Sequence, residues 1–403
     1  MKFAHIADCH VGSWREPKLR ESSTKAFVKA VDKCIEEKVD FVLISGDLFN
    51  TSFPPVDNLR IVVKKLKQLK DTNIPVYIVA GSHDFSSSGK TMVDVLDSAG
   101  LAFNVARGKV EEGKLFLNFT VDEKTGAKIA GMIGKKGGLE KSYYESLDRS
   151  SLEKEEGYKI FMFHTALTEL KPKELDKMDS APVSFLPKGF DYYAGGHVHV
   201  IDKASLEGYK AIVFPGPLFP NSFSEIEKLQ NGGFYIVEDE KMRYEPIVVH
   251  PVMSISLDCK NKNPEDVEQE ILKEAKGKEF LNTIVTMRLW GQLKTGRPSD
   301  INFKDVFKKF YDKGAFFVMK NTNKLTSKEF EEVKVETGSV EEIEERLINE
   351  NAGQSGAFNA EEEKKILKEL MKALSAEKNE GENNADFERR IKKEADSILN
   401  RGM

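Results

Sequence analysis

The sequence predicts a layered α/β domain, then a smaller α/β module, then a helical tail. Three observations predict it. From residue 2 to residue 105, short β-rich apolar runs alternate with helical stripes, the strand–helix–strand order of a layered sheet. Residues 251–326 repeat the alternation as β-α-β-α-β on a scale that suits a cap. From 327 onward the chain is highly charged, nearly free of proline and amphipathic at helical spacing.

The elements follow in order. Residues 2–7 form a strand. Phe27, Val31, Cys34 and Ile35 mark one helix, and Ile61, Val62, Leu66 and Leu69 another. Residues 41–44 and 74–79 are strands, as are parts of 114–134, then 158–163 and 190–194. Residues 200–249 read as short strands with turns, and the first domain is expected to end near 250. In the second module 253–257, 283–289 and 315–319 are strands, while 264–276 and 303–313 are helices. In the tail, 327–403, Ser339 with Glu342 and Asn359 with Glu362 have capping-box spacing. Ile366, Leu367, Leu370, Met371 and Leu374 form one stripe there; Phe387, Ile391, Ala395 and Ile398 form a second, with the polar loop 378–384 between them.

Composition narrows the class. The chain has 403 residues, 40% of them hydrophobic and 32% charged, as expected of a globular protein with two or three domains. No apolar run is long enough to span a bilayer, and residues 2–7 read as a strand and not as a signal peptide. Three well-separated cysteines, Cys9, Cys34 and Cys259, imply no disulfide framework and fit a reducing cytoplasm. A net charge of −5 argues against non-specific nucleic-acid binding through a broad basic field. Local patches or bound cations would have to supply the positive potential.

Five segments each place an acid or a histidine just after a strand-like run. They are Asp8-Cys9-His10, Gly46-Asp47, Gly81-Ser82-His83-Asp84, Phe163-His164 and Gly196-His197-Val198-His199. Five of the seven histidines fall in these segments, and strand ends are where open α/β sheets place ligand groups. Carboxylate oxygen and neutral imidazole nitrogen suit Mn²⁺, Fe²⁺ or Zn²⁺. Two such ions about 3.5–4 Å apart form a clamp for phosphoester hydrolysis. A lone Asp-x-His is a common turn; the ordered set of five is specific. Asp8 and His10 lie two apart, as do His197 and His199, so on extended backbone each pair shares one face.

The ordered set, with the stretches 2–10, 42–50, 75–84, 192–199 and 232–237, resembles the calcineurin-like metallophosphoesterases. Within them the chain looks most like the archaeal double-strand-break repair nucleases, counterparts of a bacterial exonuclease. The resemblance covers about residues 1–325, and it implies a two-sheet sandwich flanked by helices, with a cap and a helical tail. It also implies two Mn²⁺ per chain: Asp8, His10 and His199 on the first ion, Asp47 bridging, and position 82, His164 and His197 on the second. His83 is then no ligand. It contacts the phosphate and assists the leaving oxygen, a role that suits imidazole because it exchanges protons near neutrality. Asp84 is expected to orient His83. The family usually has Asn at position 82; Ser82 is shorter and a poorer metal donor, which weakens the expected second site. Asn50 stands where some members carry a second active-site histidine.

The resemblance further implies 3′-to-5′ exonuclease and single-strand endonuclease activity on DNA ends in double-strand-break repair. It implies homodimerisation, assembly with an SMC-like coiled-coil ATPase, and a cytoplasmic, nucleoid-associated location with no membrane. Two rival readings stay open: a phosphodiesterase for small substrates, and a catalytically weak DNA-end-binding scaffold. Trp14, Arg15, Lys18 and Arg20, beside the first ligands, read either as DNA contacts or as an ordinary surface loop. The basic run 60–70 reads as a solvated helix face and 86–90 as a turn. Cys9 and His5 read as core, and His250 as a boundary residue.

Overall fold

Alternation along the first strands builds two apolar faces at once. In β1 (Lys2–Ile6), β2 (Phe41–Ser45) and β3 (Val76–Val79), Ala4, Ile6, Val42, Ile44, Val76 and Ile78 pack with the helices α1 (Pro17–Glu36), α2 (Val56–Asp71) and α3 (Met92–Ser98). The alternate residues Phe3, Phe41, Leu43, Tyr77 and Val79 meet a second sheet. The computed structural model describes residues 1–86, 89–135, 140–327, 345, 348, 360–376, 378 and 384–401. The expected boxes at Ser339 and Asn359 and most of the loop 378–384 lie outside the described residues.

With β4 (Phe103–Asn104), β13 (Gly232–Glu238) and β14 (Lys241–Ile247), the first sheet has the order β14-β13-β1-β2-β3-β4. The second comprises β7 (Thr120–Val121), β8 (Lys128–Gly131), β9 (Lys159–His164), β10 (Tyr192–Gly196), β11 (Asp202–Leu206) and β12 (Tyr209–Phe214), in the order β11-β12-β10-β9-β8-β7. Its inner side chains Ile129, Ile160, Met162, Tyr192 and Ala194 share a core with the first sheet. Its outer side chains Phe161, Phe163, Tyr193 and Phe214 pack with Tyr144 of α4 (Lys141–Ser146) and Leu152 of α5 (Arg149–Glu153). The result is the layered two-sheet sandwich that the resemblance implies, with helices outside both sheets. β5 (Gly108–Glu111) and β6 (Lys114–Leu117) add a hairpin that the sequence pattern did not separate. Its turn residues Glu112 and Gly113 both have positive φ, 49° and 76°, which suits a tight hairpin.

In the second module β15 (Val252–Asp258), α7 (Pro264–Glu274), β16 (Ile284–Leu293), α8 (Phe303–Asp312) and β17 (Phe317–Ser327) give a three-stranded parallel sheet. It has its own core, including Val267, Ile271, Val285, Met287 and Phe310. The module is tied down at its start, where His250 bonds Ser22 Oγ at 3.0 Å and the Asn282 carbonyl at 3.1 Å and stacks on Phe316 at 3.7 Å. Met1–Glu329 forms one compact unit and Phe330–Met403 another. In the latter, α9 (Ala360–Leu374) and α10 (Asn384–Arg401) pack together, with Ala373 and Ile398 buried. Among the described residues no helix is long and apolar enough to cross a membrane.

Several strand boundaries differ from expectation: β10 begins at Tyr192 and β16 runs on to Leu293. β3 starts at Val76 instead of 74, since Pro75 has no N–H to donate to a ladder. β17 runs on to Ser327, although Asn321, Thr322 and Asn323 carry no apolar alternation; pairing with β16 sustains it.

The C-terminal ends of β1, β2, β3, β9 and β10 converge on one edge, and glycines let the backbones meet there. A Cβ on Gly196 would lie 2.0 Å from the Ser45 carbonyl oxygen and 2.8 Å from His164 Nδ1. Gly196→Ala is therefore expected to destabilise the protein by at least about 1–3 kcal/mol, the usual range for overpacking. Urea unfolding followed by circular dichroism reads this; an unchanged midpoint would show that the sheets can separate at this edge without cost.

Candidate metal centre

Asp8 follows β1, Asp47 follows β2, Ser82 and His83 follow β3, His164 ends β9, and His197 and His199 follow β10. The extended-backbone argument for the two pairs is wrong. Asp8, His10, Asp47 and His197 all have positive φ, 48°, 41°, 50° and 88°. The chain turns sharply after each strand; Asp8 and His10 still reach one group, while His197 and His199 part to different groups. Asp and His tolerate this left-handed region better than most residues. Backbone bonds fix it: Asp8 N–H donates to Gly46 O at 3.2 Å and His10 N–H to Asp47 O at 2.9 Å.

The side chains gather as Asp8, His10 and His199 on one side and Asp47, His164 and His197 on the other; His10, Asp47 and His83 form a group between them. Within each group one donor atom per residue lies within 4.8 Å of the others. His164 Nδ1–H donates to the Ser45 carbonyl at 2.9 Å. That leaves Nε2 as the free nitrogen, buried, without a hydrogen-bond partner and 3.2 Å from Asp47 Oδ2. His199 Nδ1 faces Glu225 Oε1 at 3.2 Å, and its Nε2 faces His10 Nε2 at 3.0 Å. With its Nδ1–H on Ser45 O, neutral His164 turns the Nε2 lone pair on a carboxylate oxygen, and with its Nδ1–H on Glu225, neutral His199 leaves its Nε2 lone pair facing His10. Imidazole lone pairs and carboxylate oxygens converging in this way fit metal ions.

Charge agrees with geometry. Burial opposes a charge on His164, but Asp47 outweighs it and raises the pKa to about 10. Burial likewise works to raise Asp47, yet His164, His10 and His83 hold its carboxyl well below the usual range. Burial, with the charge of His164, lowers His197 to about 4. Without metal, then, a proton occupies the space beside Asp47.

Ser82 is buried, and its Oγ donates to Asp47 Oδ2 at 3.3 Å. The expected pairing of Asp84 with His83 does not occur. Asp84 accepts from the backbone N–H of Leu48, Phe49 and Gly81 at 3.3, 3.1 and 2.9 Å, pinning the loops after β2 and β3 together. Burial, with the charge of Asp47, pushes its pKa up to about 7 against those amides. His83 is oriented instead by the Asn50 carbonyl, which accepts from Nδ1–H at 2.9 Å. Its Nε2 is left for chemistry, beside His10 at a ring distance of 4.9 Å.

Two of the loop basic residues, Lys18 and Arg20, are engaged internally. Arg20 donates to the Trp14 and Arg15 carbonyls at 3.0 and 2.8 Å, and Lys18 to the Phe316 carbonyl at 3.2 Å. Trp14 Nε1–H donates to Pro220 O at 2.9 Å. Trp14, Arg15 and Arg20 do line a cavity of about 710 Å³ that also touches Asn50. Sequence reasoning missed Glu225, on α6 (Phe223–Leu229), whose carboxylate sets the tautomer of His199. The spacing Ser222-x-x-Glu225, with Glu225 N–H on Ser222 Oγ at 3.2 Å, was the available signal. His5 is core as expected, bonded to Tyr192 Oη and Ser45 Oγ at 3.0 and 3.1 Å.

Residues 1–201 match the family described as calcineurin-like phosphoesterase. The chain belongs to this family. Its members are metal-dependent phosphoesterases with a dinuclear centre, and the candidate ligand groups above accord with that. The chain is also similar to proteins named DNA double-strand break repair protein Mre11. That of Methanococcus maripaludis is 29% identical over 274 residues, 65% of this chain and 68% of the relative. That of Archaeoglobus fulgidus is 28% identical over 297 residues, 68% of this chain and 65% of the relative. That of Methanocaldococcus jannaschii is 30% identical over 295 residues, 70% of this chain and 73% of the relative.

The protonated state of His164 makes a prediction about metal uptake. With a metal-free pKa of about 10, Nε2 holds a proton at neutral pH that an ion must displace. Metal binding should therefore release about one proton from pH 7 to 9, and apparent affinity should rise roughly tenfold per pH unit. Calorimetry in buffers of different ionisation enthalpy measures the proton count; binding without release would refute the assignment.

Proposed function

We propose that the chain is a Mn²⁺-dependent DNA nuclease that processes double-strand breaks, as a 3′-to-5′ exonuclease on duplex ends and an endonuclease on single strands. The observation that carries the reading is the pair of imidazole nitrogens His164 Nε2 and His199 Nε2, 3.2 Å from Asp47 and 3.7 Å from Asp8 at one open edge of the sandwich. Mixed nitrogen and carboxylate donors suit Mn²⁺. DNA ends as substrate, an SMC-like coiled-coil ATPase as partner, a homodimer and a nucleoid-associated cytoplasmic location rest on the similarity to repair proteins of that name.

Asp8, His10 and His199 would hold one ion, and His164 and His197 the other, with Asp47 shared. When bound, the ions supply positive charge to the phosphate and activate water. The chain's own residues do the rest. Asn50 O fixes His83 Nδ1–H, so a proton carried on Nε2 is aimed into the cleft for the departing 3′ oxygen. Asp84 is a positioning residue, holding both loops by their amides.

Cleavage of single-stranded DNA followed against Mn²⁺ concentration tests the reading. The wild type should cleave in Mn²⁺ and not in chelator. His83→Ala should retain bound Mn²⁺ after gel filtration yet lose about 10²–10⁴-fold in rate, the usual contribution of a general acid. Ser82→Asn should lower the Mn²⁺ needed for half-maximal rate, since an amide oxygen reaches further than the hydroxyl now turned to Asp47. A wild type that hydrolyses an aryl phosphodiester and no DNA would establish the small-substrate alternative.

The tail is assigned to the ATPase. α9 and α10 leave Leu374 and Leu399 exposed, apolar side chains that a partner helix would cover. Truncation after Gly356 should abolish co-purification with the ATPase and spare single-strand cleavage; retained co-purification would make the helix pair an internal element only.

A further inference from the structure

Lys135 stands on the loop after β8, at the same edge as the metal ligands. The preceding Gly134 lies against His164, where a Cβ would come 2.4 Å from the His164 carbonyl oxygen and 2.5 Å from its ring Cδ2. Gly134 N–H donates to Ala80 O at 2.9 Å, just past β3. Lys135 thus emerges where the two sheets meet. Its own N–H donates to the buried Glu140 carboxylate at 3.3 Å, which also accepts from Thr165, next to His164, at 2.9 Å.

The half-buried ammonium lies 4.7 Å from the ring centre of Tyr143 and 5.8 Å from that of Phe85, two residues after His83. It donates to Tyr143 Oη at 2.7 Å. Among the described residues it forms no ion pair. A lysine with one N–H engaged keeps two more to donate, and Tyr143, accepting from the lysine, keeps its own O–H. The aromatic faces restrict the ammonium without neutralising it. Three donors therefore converge beside the cleft, one step outward from His83.

We propose that Lys135 and Tyr143 hold the phosphate that adjoins the scissile one on a nucleic-acid strand. The proposal rests on the phosphodiester reading above and gives it a second phosphate subsite. Lys135 belongs to none of the ligand groups and is placed against Phe85 and Tyr143, beyond His83, which points it to the neighbouring phosphate. It also supplies positive potential locally, which a chain of net charge −5 lacks as a whole.

Two readouts on the full-length, Mn²⁺-loaded protein test it. Binding of a fluorescein-labelled oligothymidylate is followed by anisotropy in the His83→Ala background, which slows cleavage. Adding Lys135→Met should weaken binding about tenfold and reduce the slope of log affinity against log salt by about 0.7, one phosphate contact on a single strand. In the otherwise wild-type protein Lys135→Met should lower kcat/KM for the oligonucleotide relative to bis(p-nitrophenyl) phosphate about tenfold. Lys135→Arg should restore most of both, and Tyr143→Phe should fall between. Bound Mn²⁺ confirms the fold of each variant. An unchanged salt slope, or equal losses on both substrates, overturns the subsite while DNA cleavage by the wild type stands. A wild type that cleaves only the aryl ester overturns the DNA reading and the subsite with it.

Discussion

The close approach of two sheets at their C-terminal edge is the constraint on which the rest depends. His164 ends a strand of the second sheet and donates to the carbonyl of Ser45, the last residue of a strand in the first. Around that bond stand glycines with no room for a side chain. A Cβ on Gly46 would meet His164 Nδ1 at 2.0 Å, and one on Gly81 would meet the Asp47 nitrogen at 2.3 Å. Without this contact, Asp8 and Asp47 from one sheet would not face His164 and His197 from the other. Metal chemistry here is a property of the seam, and each sheet alone carries half of it.

The seam is held under strain. Four candidate ligand residues adopt positive φ, each on the order of 1–3 kcal/mol above ordinary backbone. Part-buried bonds over-determine these conformations. The Asp8 carboxylate accepts from His197 N–H at 3.0 and 3.1 Å, and Asp47 accepts from His83 N–H at 2.7 Å. The two acids thus orient the neighbouring ligand loops as well as offering oxygens. Asp84 ties the loops beneath them, and Glu225 and the Asn50 carbonyl set the histidine tautomers from outside.

The second module is built into this arrangement. Arg288 on β16 bonds Glu227 at 2.8 and 2.5 Å and Ser224 at 3.2 Å, both on α6. The same helix carries Glu225 to His199. Lys18, read from sequence either as a DNA contact or as part of an ordinary surface loop, links α1 to the module through the Phe316 carbonyl. Core residues Ile284 and Val252 pack with the first sheet's helical side, so the module shares a core with the domain it follows.

Much was legible in the residues themselves. Alternation gave the strands, apolar stripes gave α1 and α2, and the five segments named every acid and histidine of the three candidate ligand groups, though not Glu225 beside them. These are local signals, written in side-chain type and spacing. The sequence could not show that Asp8 and His10 leave extended backbone, because φ is settled by the bonds to Gly46 and Asp47 from the adjacent strand. Nor could it show that Asn50 acts through its carbonyl, since every residue has one and only packing selects it. Asp84 looked like a partner for the histidine beside it, but its buried carboxylate found three amides within reach and took those. By itself the sequence determined which groups this protein can offer to a cation. The tertiary structure decided which of them meet, because donors some 150 residues apart are brought together only where two sheets close to within hydrogen-bond distance.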